Sequence, residues 1–212
     1  DSAKWGRISA NGWRTEINSL KTWLTTRTGW MDSQFRAPPS FSPSPGLITP
    51  GFVFTLRGGT GSIYYTLDGE VPTSGRGELY TGPSVIDGSG GRAVVTIRTA
   101  AYKDGYLPSN IITHSYIFSD RVLSQPVRPA GFPAGWTGAP RADYEMDPQI
   151  ADNPAYSASV REGLRSLPSM SIVARVADVF GSQGIYSNPG GTGVNWERPC
   201  SVEYILPDGS EG

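Results

Sequence analysis

The first clear pattern in the chain is a helical stripe of apolar residues within 12–35. Its members recur at steps of three and four positions, which places them on one face of an α-helix. They are Trp13, Ile17, Leu20, Leu24, Met31 and Phe35, and Trp23 and Trp30 widen the face. Asn11 is a residue type that caps helices, and Pro38 favours an end to the helix. Because a face this wide needs a partner, we expect the helix either to lie across the sheet that follows or to have packed on a segment upstream.

Residues 51–118 change to the pattern of short β-strands separated by turn residues. Four runs rich in β-branched and aromatic residues are separated by Gly, Asp and Pro: FVFTLRG, SIYYTLD, AVVTIRTAAY and NIITHSYIF. This regular spacing predicts an antiparallel β-sandwich rather than alternating β and α units. The expected core residues are Val53, Ile63, Tyr65, Val95, Ile97, Ile112 and Tyr116.

Two further segments flank these strands. Residues 38–50 are rich in Pro and Ser and indicate a semi-extended linker. Residues 119–212 are loop-rich, with a helix predicted from Asn153 as N-cap and Pro154 in the first turn. After that helix, SMSIVARV predicts a buried type of strand and ADVFG a single helical turn.

The end of the chain raises a question of strand pairing. Residues 202–206 alternate in polarity as a strand does, and Asp208-Gly209 is a typical hairpin turn. No strand follows this turn. We therefore expect the partner of the last strand to have been encoded further along, with the ends of the chain cut from something longer.

Composition narrows the classes of function. The net charge of −1 provides no basic field for phosphates, so we expect no nucleic-acid partner. No apolar run approaches the ~20 residues that span a bilayer. An aromatic content of 11% argues against disorder, while 27 Gly and 18 Pro predict many loops and turns.

The single cysteine and the single histidine limit the available chemistry. Cys200 can form no internal disulfide, and we expect it to be a small buried apolar residue. His114 shares parity with core residues of the last sandwich strand, which favours a half-buried structural role. One histidine excludes histidine-clustered zinc or copper sites. Since the chain has neither a phosphate-binding G-x-x-x-x-G-K-[ST] motif nor a G-x-S-x-G elbow, we expect no catalytic activity in this segment.

Four aromatic residues are candidate platforms for sugar rings. An aromatic ring offers an apolar face and a polar edge, which suits carbohydrate. The candidates are Tyr64, Tyr80, Trp136 and Trp196. The alternative for each is burial or loop anchoring, and for Trp136 in GFPAGWTG we favour loop anchoring.

Three carboxylates alternate in the stretch DYEMDP. An extended backbone would point Asp143, Glu145 and Asp147 to one side, and Ca²⁺ prefers such oxygen ligands. Pro148 and the absence of a later Glu in register break the EF-hand pattern, and Arg141 is close enough to pair with one carboxylate. A bound Ca²⁺ and solvated or Arg-paired carboxylates both stay open, with no other cofactor expected.

The strand region resembles a known family. The phrases IYYTLDGEVPTSG, LYTGP, IRTAAYKDGYLPS and THSYIF occur in the order and spacing of the chitobiase/β-hexosaminidase C-terminal-like domain. This resemblance implies a fibronectin type III-like sandwich with an accessory rather than catalytic role. The expected fold is therefore mainly β, a fibronectin type III or immunoglobulin-like sandwich with an N-terminal amphipathic helix and a loop-rich α+β C-terminal segment.

The flanks resemble parts of CotH kinase-like regions of large bacterial surface proteins. The phrases are DSAKWG at the start and VLSQPVRPAGFPAGW, LRSLPSMSIV and WERPCSVEYILPDGS toward the end. The resulting division is 1–37, the tail of an upstream CotH-like module; 38–50, the linker; 51–118, the sandwich; and 119–212, the truncated start of another CotH-like region. The kinase-like core and its nucleotide and metal residues have no counterparts here.

These observations predict a non-catalytic accessory module of a secreted or cell-surface multidomain protein that spaces or presents its neighbours. One alternative is a carbohydrate-binding module for an insoluble polysaccharide. Another is an incomplete part of a CotH kinase-like enzyme. The expected partners are neighbouring domains of the parent chain and, for the first alternative, a polysaccharide.

Overall fold

The computed structural model describes residues 10–59, 61–86, 91–136, 141–208 and 210. Its first element is a long helix, α1 (Ala10–Gln34), as the apolar stripe predicts. The helix includes Asn11, so the expected cap residue lies inside its first turn. Residues 1–9, including the DSAKWG phrase, lie outside the described residues.

Within the described residues, ten strands and four further helices follow α1, together with one short 3₁₀ turn. The strands are β1 (Ser40–Ser42), β2 (Gly46–Leu47), β3 (Phe52–Arg57), β4 (Ser62–Thr66), β5 (Glu78–Leu79), β6 (Ser84–Ile86), β7 (Val94–Tyr102), β8 (Ile112–Ile117), β9 (Ser169–Val173) and β10 (Ser201–Ile205). The helices are α2 (Ser119–Val122), α3 (Pro148–Ala151), α4 (Pro154–Ser166) and α5 (Val176–Phe180), and the 3₁₀ turn is Val194–Trp196.

The first eight strands form a β-sandwich. One sheet has the order β1-β3-β6 and the other has the order β2-β8-β7-β4-β5. The pairs are antiparallel, as predicted, except for the short parallel pair of β2 with β8. The protein is therefore mainly β, and its sandwich fold agrees with the sequence prediction.

The core lies between the two sheets. The larger sheet contributes Tyr65, Val95, Ile97, Tyr116 and the following Phe118, and the smaller sheet contributes Phe54, Leu56 and Ile86. Tyr65, Val95, Ile97 and Tyr116 confirm the predicted core, while Ile63 packs against it partly buried.

Val53 is a correction to the predicted core. Its side chain is 46% exposed, because Phe52, Phe54 and Leu56 occupy the alternate positions of β3 and take the inner face. Val53 instead stands opposite Val85 on the outer face of the smaller sheet.

The Pro/Ser stretch 38–50 takes part in the sandwich. Residues of β1 pair with β3, and β2 pairs with β8. Phe41 packs against the core, and Pro39 and Pro45 are fully buried. The stretch is extended, as its composition indicates, but the linker description needs correction because its two short strands complete both sheets.

Helix α4 in the C-terminal segment begins where the sequence predicts. The Asn153 side chain accepts a hydrogen bond from the backbone N–H of Ala155 at 3.0 Å, and Pro154 occupies the first turn. This arrangement satisfies one of the free N–H groups of the helix. The predicted short helix at ADVFG is also present as α5.

The last strand has its partner inside the chain, so the expected missing strand is wrong. Strand β10 pairs antiparallel with β9, with Ser201 opposite Val173 and Ile205 opposite Ser169. The two form a separate two-stranded sheet, here called the ribbon. Beyond it, Ser210 donates to the Asp208 carboxylate and accepts from the Leu206 N–H, while Gly209 lies outside the described residues.

Two burial expectations in this segment are also corrected. Strand β9 is half-exposed rather than buried, because one side of the ribbon faces solvent. Cys200 is exposed, since it immediately precedes β10 at the surface.

Candidate interaction surfaces

The two candidate tyrosines of the sandwich have separate surroundings. Tyr64 points away from the core on β4, and its ring centroid lies 5.8 Å from that of Tyr102 in an edge-on contact. Tyr80 packs against the core, with its ring 6.3 Å from Phe54 and 6.4 Å from Tyr65. Tyr80 therefore contributes to sandwich packing.

Trp136 anchors a loop in the C-terminal segment. Its indole N–H donates to the Tyr144 hydroxyl at 3.1 Å, and that hydroxyl donates to the Pro133 carbonyl at 3.0 Å. The ring also lies 6.1 Å from Tyr186. Tyr186 and Tyr144 connect further to Phe180 and Phe132, so five aromatic rings hold this segment together. These contacts fit the loop-anchoring interpretation of Trp136.

Trp196 lies in the 3₁₀ turn with part of its ring covered. The ring packs so closely on Gly191 that a Cβ atom there would overlap it. The Arg198 guanidinium lies 5.9 Å from the ring centroid. Each of the four candidate aromatics thus has its own set of neighbours, and carbohydrate binding stays a prediction.

The three candidate carboxylates have different roles. Asp147 caps α3, its side chain accepting from the Gln149 N–H at 2.8 Å. Glu145 is ion-paired with Arg141, and Asp143 is exposed. Within the described residues, no group of three or more His, Cys, Asp or Glu side chains could hold a metal ion. The Ca²⁺ site stays a prediction.

The sequence did not reveal the polar seat of the ribbon on β8. Ser115 and Ser171 share a hydrogen bond of 2.6 Å, and Thr113 and Ser201 share one of 2.9 Å. In addition, the Ser115 backbone N–H donates to the Glu203 carboxylate at 3.3 Å. Ser115 is fully buried and its partners are partly buried, so water has only limited access to these contacts. Five side chains and one backbone amide therefore fix the ribbon against the sandwich.

His114 lies beside this seat. Its Nδ1 is 4.0 Å from a Glu203 carboxylate oxygen, and its ring is 4.3 Å from that of Phe41. The side chain is 15% exposed, which confirms the predicted partial burial, while its structural role stays a prediction.

The ribbon turns its more apolar side outward. Its inner face carries Ser169, Ser171, Ser201 and Glu203 together with Val173 and Ile205. The outer face carries the cross-strand pairs Ile172–Val202 and Met170–Tyr204. These four side chains are between 42% and 65% exposed. Exposed apolar patches of this kind are common at protein interaction sites.

Helix α1 presents a second apolar surface, here called the tryptophan face. It consists of Trp13, Ile17, Leu20, Trp23, Leu24, Trp30 and Met31. Ile17 is partly buried, and the other six side chains are between 45% and 60% exposed. The helix does not lie across the sandwich; its attachment is at the carboxyl end, where the Leu107 N–H donates to the Gln34 carbonyl at 3.2 Å. There the Arg36 guanidinium lies 3.7 Å from the centre of the Tyr106 ring.

Two shallow clefts lie among the described residues. One, of about 250 Å³, is lined by Asp68, Arg76, Glu78 and Arg92, and Arg76 pairs with Asp68 at 3.4 Å. The other, of about 350 Å³, lies where Arg165 pairs with Asp120 at 3.0 Å. Neither lining includes His114 or Cys200, so these clefts hold surface ion pairs rather than a nucleophile with a histidine base.

Comparison with known proteins matches part of the chain to a protein family. Residues 55–116 match the protein-family model described as Fn3 associated. No curated protein and no solved structure was found to match the chain. The matched segment runs from β3 to β8 and covers under a third of the chain, so the likeness concerns the sandwich.

The sandwich fold and this match agree with each other. Residues 55–116 are similar to domains of the fibronectin type III-associated class and lie in the β-sandwich. A domain of this class fits an accessory module of a multidomain protein. No helix among the described residues is both long enough and apolar enough to pass through a lipid bilayer.

Proposed function

We propose that this chain is a non-catalytic accessory module of a secreted or cell-surface protein, and that it holds neighbouring modules at a fixed spacing. The observation that carries the proposal is the polar seat of the ribbon on β8. The sandwich and the segment after it are joined there by hydrogen bonds at Ser115 and Thr113 as well as by the chain itself. A module attached beyond the ribbon would therefore keep a constant orientation.

The seat differs from an ordinary interdomain contact. A flexible linker would let the following segment rotate freely. Here the two hydroxyl pairs are short, and the Glu203 carboxylate reaches the backbone of β8 where β2 does not extend. Secretion or cell-surface location is part of the proposal and rests on the sequence resemblance alone.

A distance measurement tests the fixed spacing. Spin labels would be placed at Val53 and Met170, which are 46% and 63% exposed on the sandwich and the ribbon, after Cys200→Ser removes the native thiol. Dilution with unlabelled chain restricts the signal to one copy. We expect a single narrow distance distribution. A distribution as broad as that of a flexible tether would overturn the proposal.

Polysaccharide binding is the second candidate, supported by the partial exposure of Trp136 and Trp196. Affinity gels containing chitin, cellulose or xylan would show retardation that Trp136→Ala or Trp196→Ala reduces. Absence of retardation on all three removes this candidate. The third possibility, a part of a CotH kinase-like enzyme, rests on the sequence phrases and predicts activity only in a longer chain.

A further inference from the structure

The tryptophan face of α1 needs a partner to be stable. Five threonines and two glycines within α1 lower its intrinsic helix propensity. Helices in proteins gain most of their stability from packing of an apolar face rather than from propensity. Six large apolar side chains of α1 are nevertheless about half-exposed.

The exposed area is sufficient for a dimer. A large side chain that is half-exposed shows about 100 Å². The six residues together then offer about 600 Å² per copy, or about 1,200 Å² for two copies, the lower end of the range for stable interfaces. A second copy of α1 can therefore supply the missing cover.

The spacing along α1 is that of a coiled coil. Ile17, Leu24 and Met31 form one row at seven-residue intervals, and Trp13, Leu20 and Arg27 form the adjacent row. A third row of Glu16, Trp23 and Trp30 runs along one side. Two mainly apolar rows with this offset form the seam of paired helices.

Arg27 decides the direction of pairing. In a parallel pair, equivalent residues meet, and the two Arg27 side chains would face each other as like charges. In an antiparallel pair centred on residue 22, the two rows meet each other, so Leu20 faces Leu24 and Trp13 faces Met31. Arg27 of each copy then lies opposite Ile17 and beside Glu16 of the other copy. The dimer therefore contains two Arg27–Glu16 contacts between opposite charges.

The Trp30 ring can cover the charge of Arg27 within such a pair of helices. The guanidinium of Arg27 already lies 4.3 Å from the Trp30 ring centroid. Contact with an aromatic face stabilises a cation and covers it from water. We propose that α1 is a self-association element, through which two copies of this chain pair antiparallel by the tryptophan face.

Charge reversal tests both the pairing and its direction. Sedimentation of the full 212-residue chain should show a species of twice the 22.7 kDa monomer mass. Glu16→Arg or Arg27→Glu alone should raise the dimer dissociation constant about tenfold, because two attractive contacts become repulsive. The double variant restores complementarity and should recover the original constant. Asp32→Arg, which reverses a charge outside the three rows, should leave the constant unchanged.

Cross-linking distinguishes the two directions independently. In a Cys200→Ser background, Trp13→Cys mixed with Met31→Cys should give a disulfide between the two different chains. Trp13→Cys alone should give none, since residues 13 lie at opposite ends of an antiparallel pair. A monomer at all concentrations, failure of the double reversal to restore pairing, or a 13–13 disulfide would each overturn the proposal. Circular dichroism of every variant checks that α1 remains helical.

Discussion

The hydroxyl pair under the ribbon allows a double-mutant test of how the ribbon is held. Ser115 and Ser171 share a 2.6 Å hydrogen bond, and Ser115 is 0% exposed. Ser171→Ala leaves a buried hydroxyl without its partner, which costs about 1–3 kcal/mol. Ser115→Ala leaves the half-buried Ser171 hydroxyl, which water can reach more easily, so we expect about 1 kcal/mol.

The double variant gives the decisive result. Replacing both hydroxyls removes the donor and the acceptor together, so no buried group is left unpaired. We therefore expect its loss to be smaller than the sum of the single losses by about 1 kcal/mol. Met170→Ala, on the solvent-facing side of the same strand, should change stability by no more than about 0.5 kcal/mol.

Two measurements follow the change. Equilibrium urea unfolding gives the free energy of the whole chain, and amide hydrogen exchange at residues 201–205 reports local opening of the ribbon. Single losses that add to within about 0.3 kcal/mol would refute the reasoning, because additivity means that the two side chains do not interact. So would exchange rates in β10 that do not respond to Ser171→Ala.

Three further outcomes are expected. Phe54→Ala should cost about 3–5 kcal/mol because Phe54 is 1% exposed, whereas Val53→Ala should cost little; equal losses in urea unfolding would reverse the assigned faces of β3. Burial, with donation to the Glu78 carboxylate at 2.6 Å, raises the pKa of Tyr65, so its contribution to stability is full below the unfolded value of about 10 and is lost as pH rises through the folded pKa. Tyr65→Phe should flatten that alkaline decline, and an unchanged slope would contradict the assignment. Cys200 is exposed, so a thiol reagent should react with it in the folded chain as fast as in urea; strong protection would contradict its placement.

Local chemistry explains what the sequence could predict. The start of α4 depends on the side chains of Asn153 and Pro154 alone, so these two adjacent residues were enough to predict it. The large strands of the sandwich are equally visible, because Tyr65 and Ile97 lie in strongly patterned runs. Val53 was misassigned because β3 is apolar on consecutive positions, and only the packing of Phe54 shows which parity faces inward.

Contacts between distant residues explain what the sequence could not predict. Strand β10 pairs with a strand far earlier in the chain, and no turn between them signals the pairing. The two short strands of 38–50 are recognisable only through their partners. The sequence does not predict the seat at Ser115, because small hydroxyl residues form no recognisable pattern. On the ribbon, Ser171 and Ser201 share the strand parity of Val173 and Ile205, and this parity marks the inner face.

The ribbon exposes its more apolar side, so the number of buried apolar side chains alone would favour the opposite orientation on β8. Turning the ribbon over would bury Met170, Ile172, Val202 and Tyr204 against β8 and would expose Val173 and Ile205 together with the hydroxyls and Glu203. The inverted orientation is disfavoured because the hydroxyls of Ser115 and Thr113 would then lose their hydrogen-bond partners. The hydrogen bonds of the seat therefore select one side of the ribbon. Substitutions that make β8 more apolar would favour the inverted orientation.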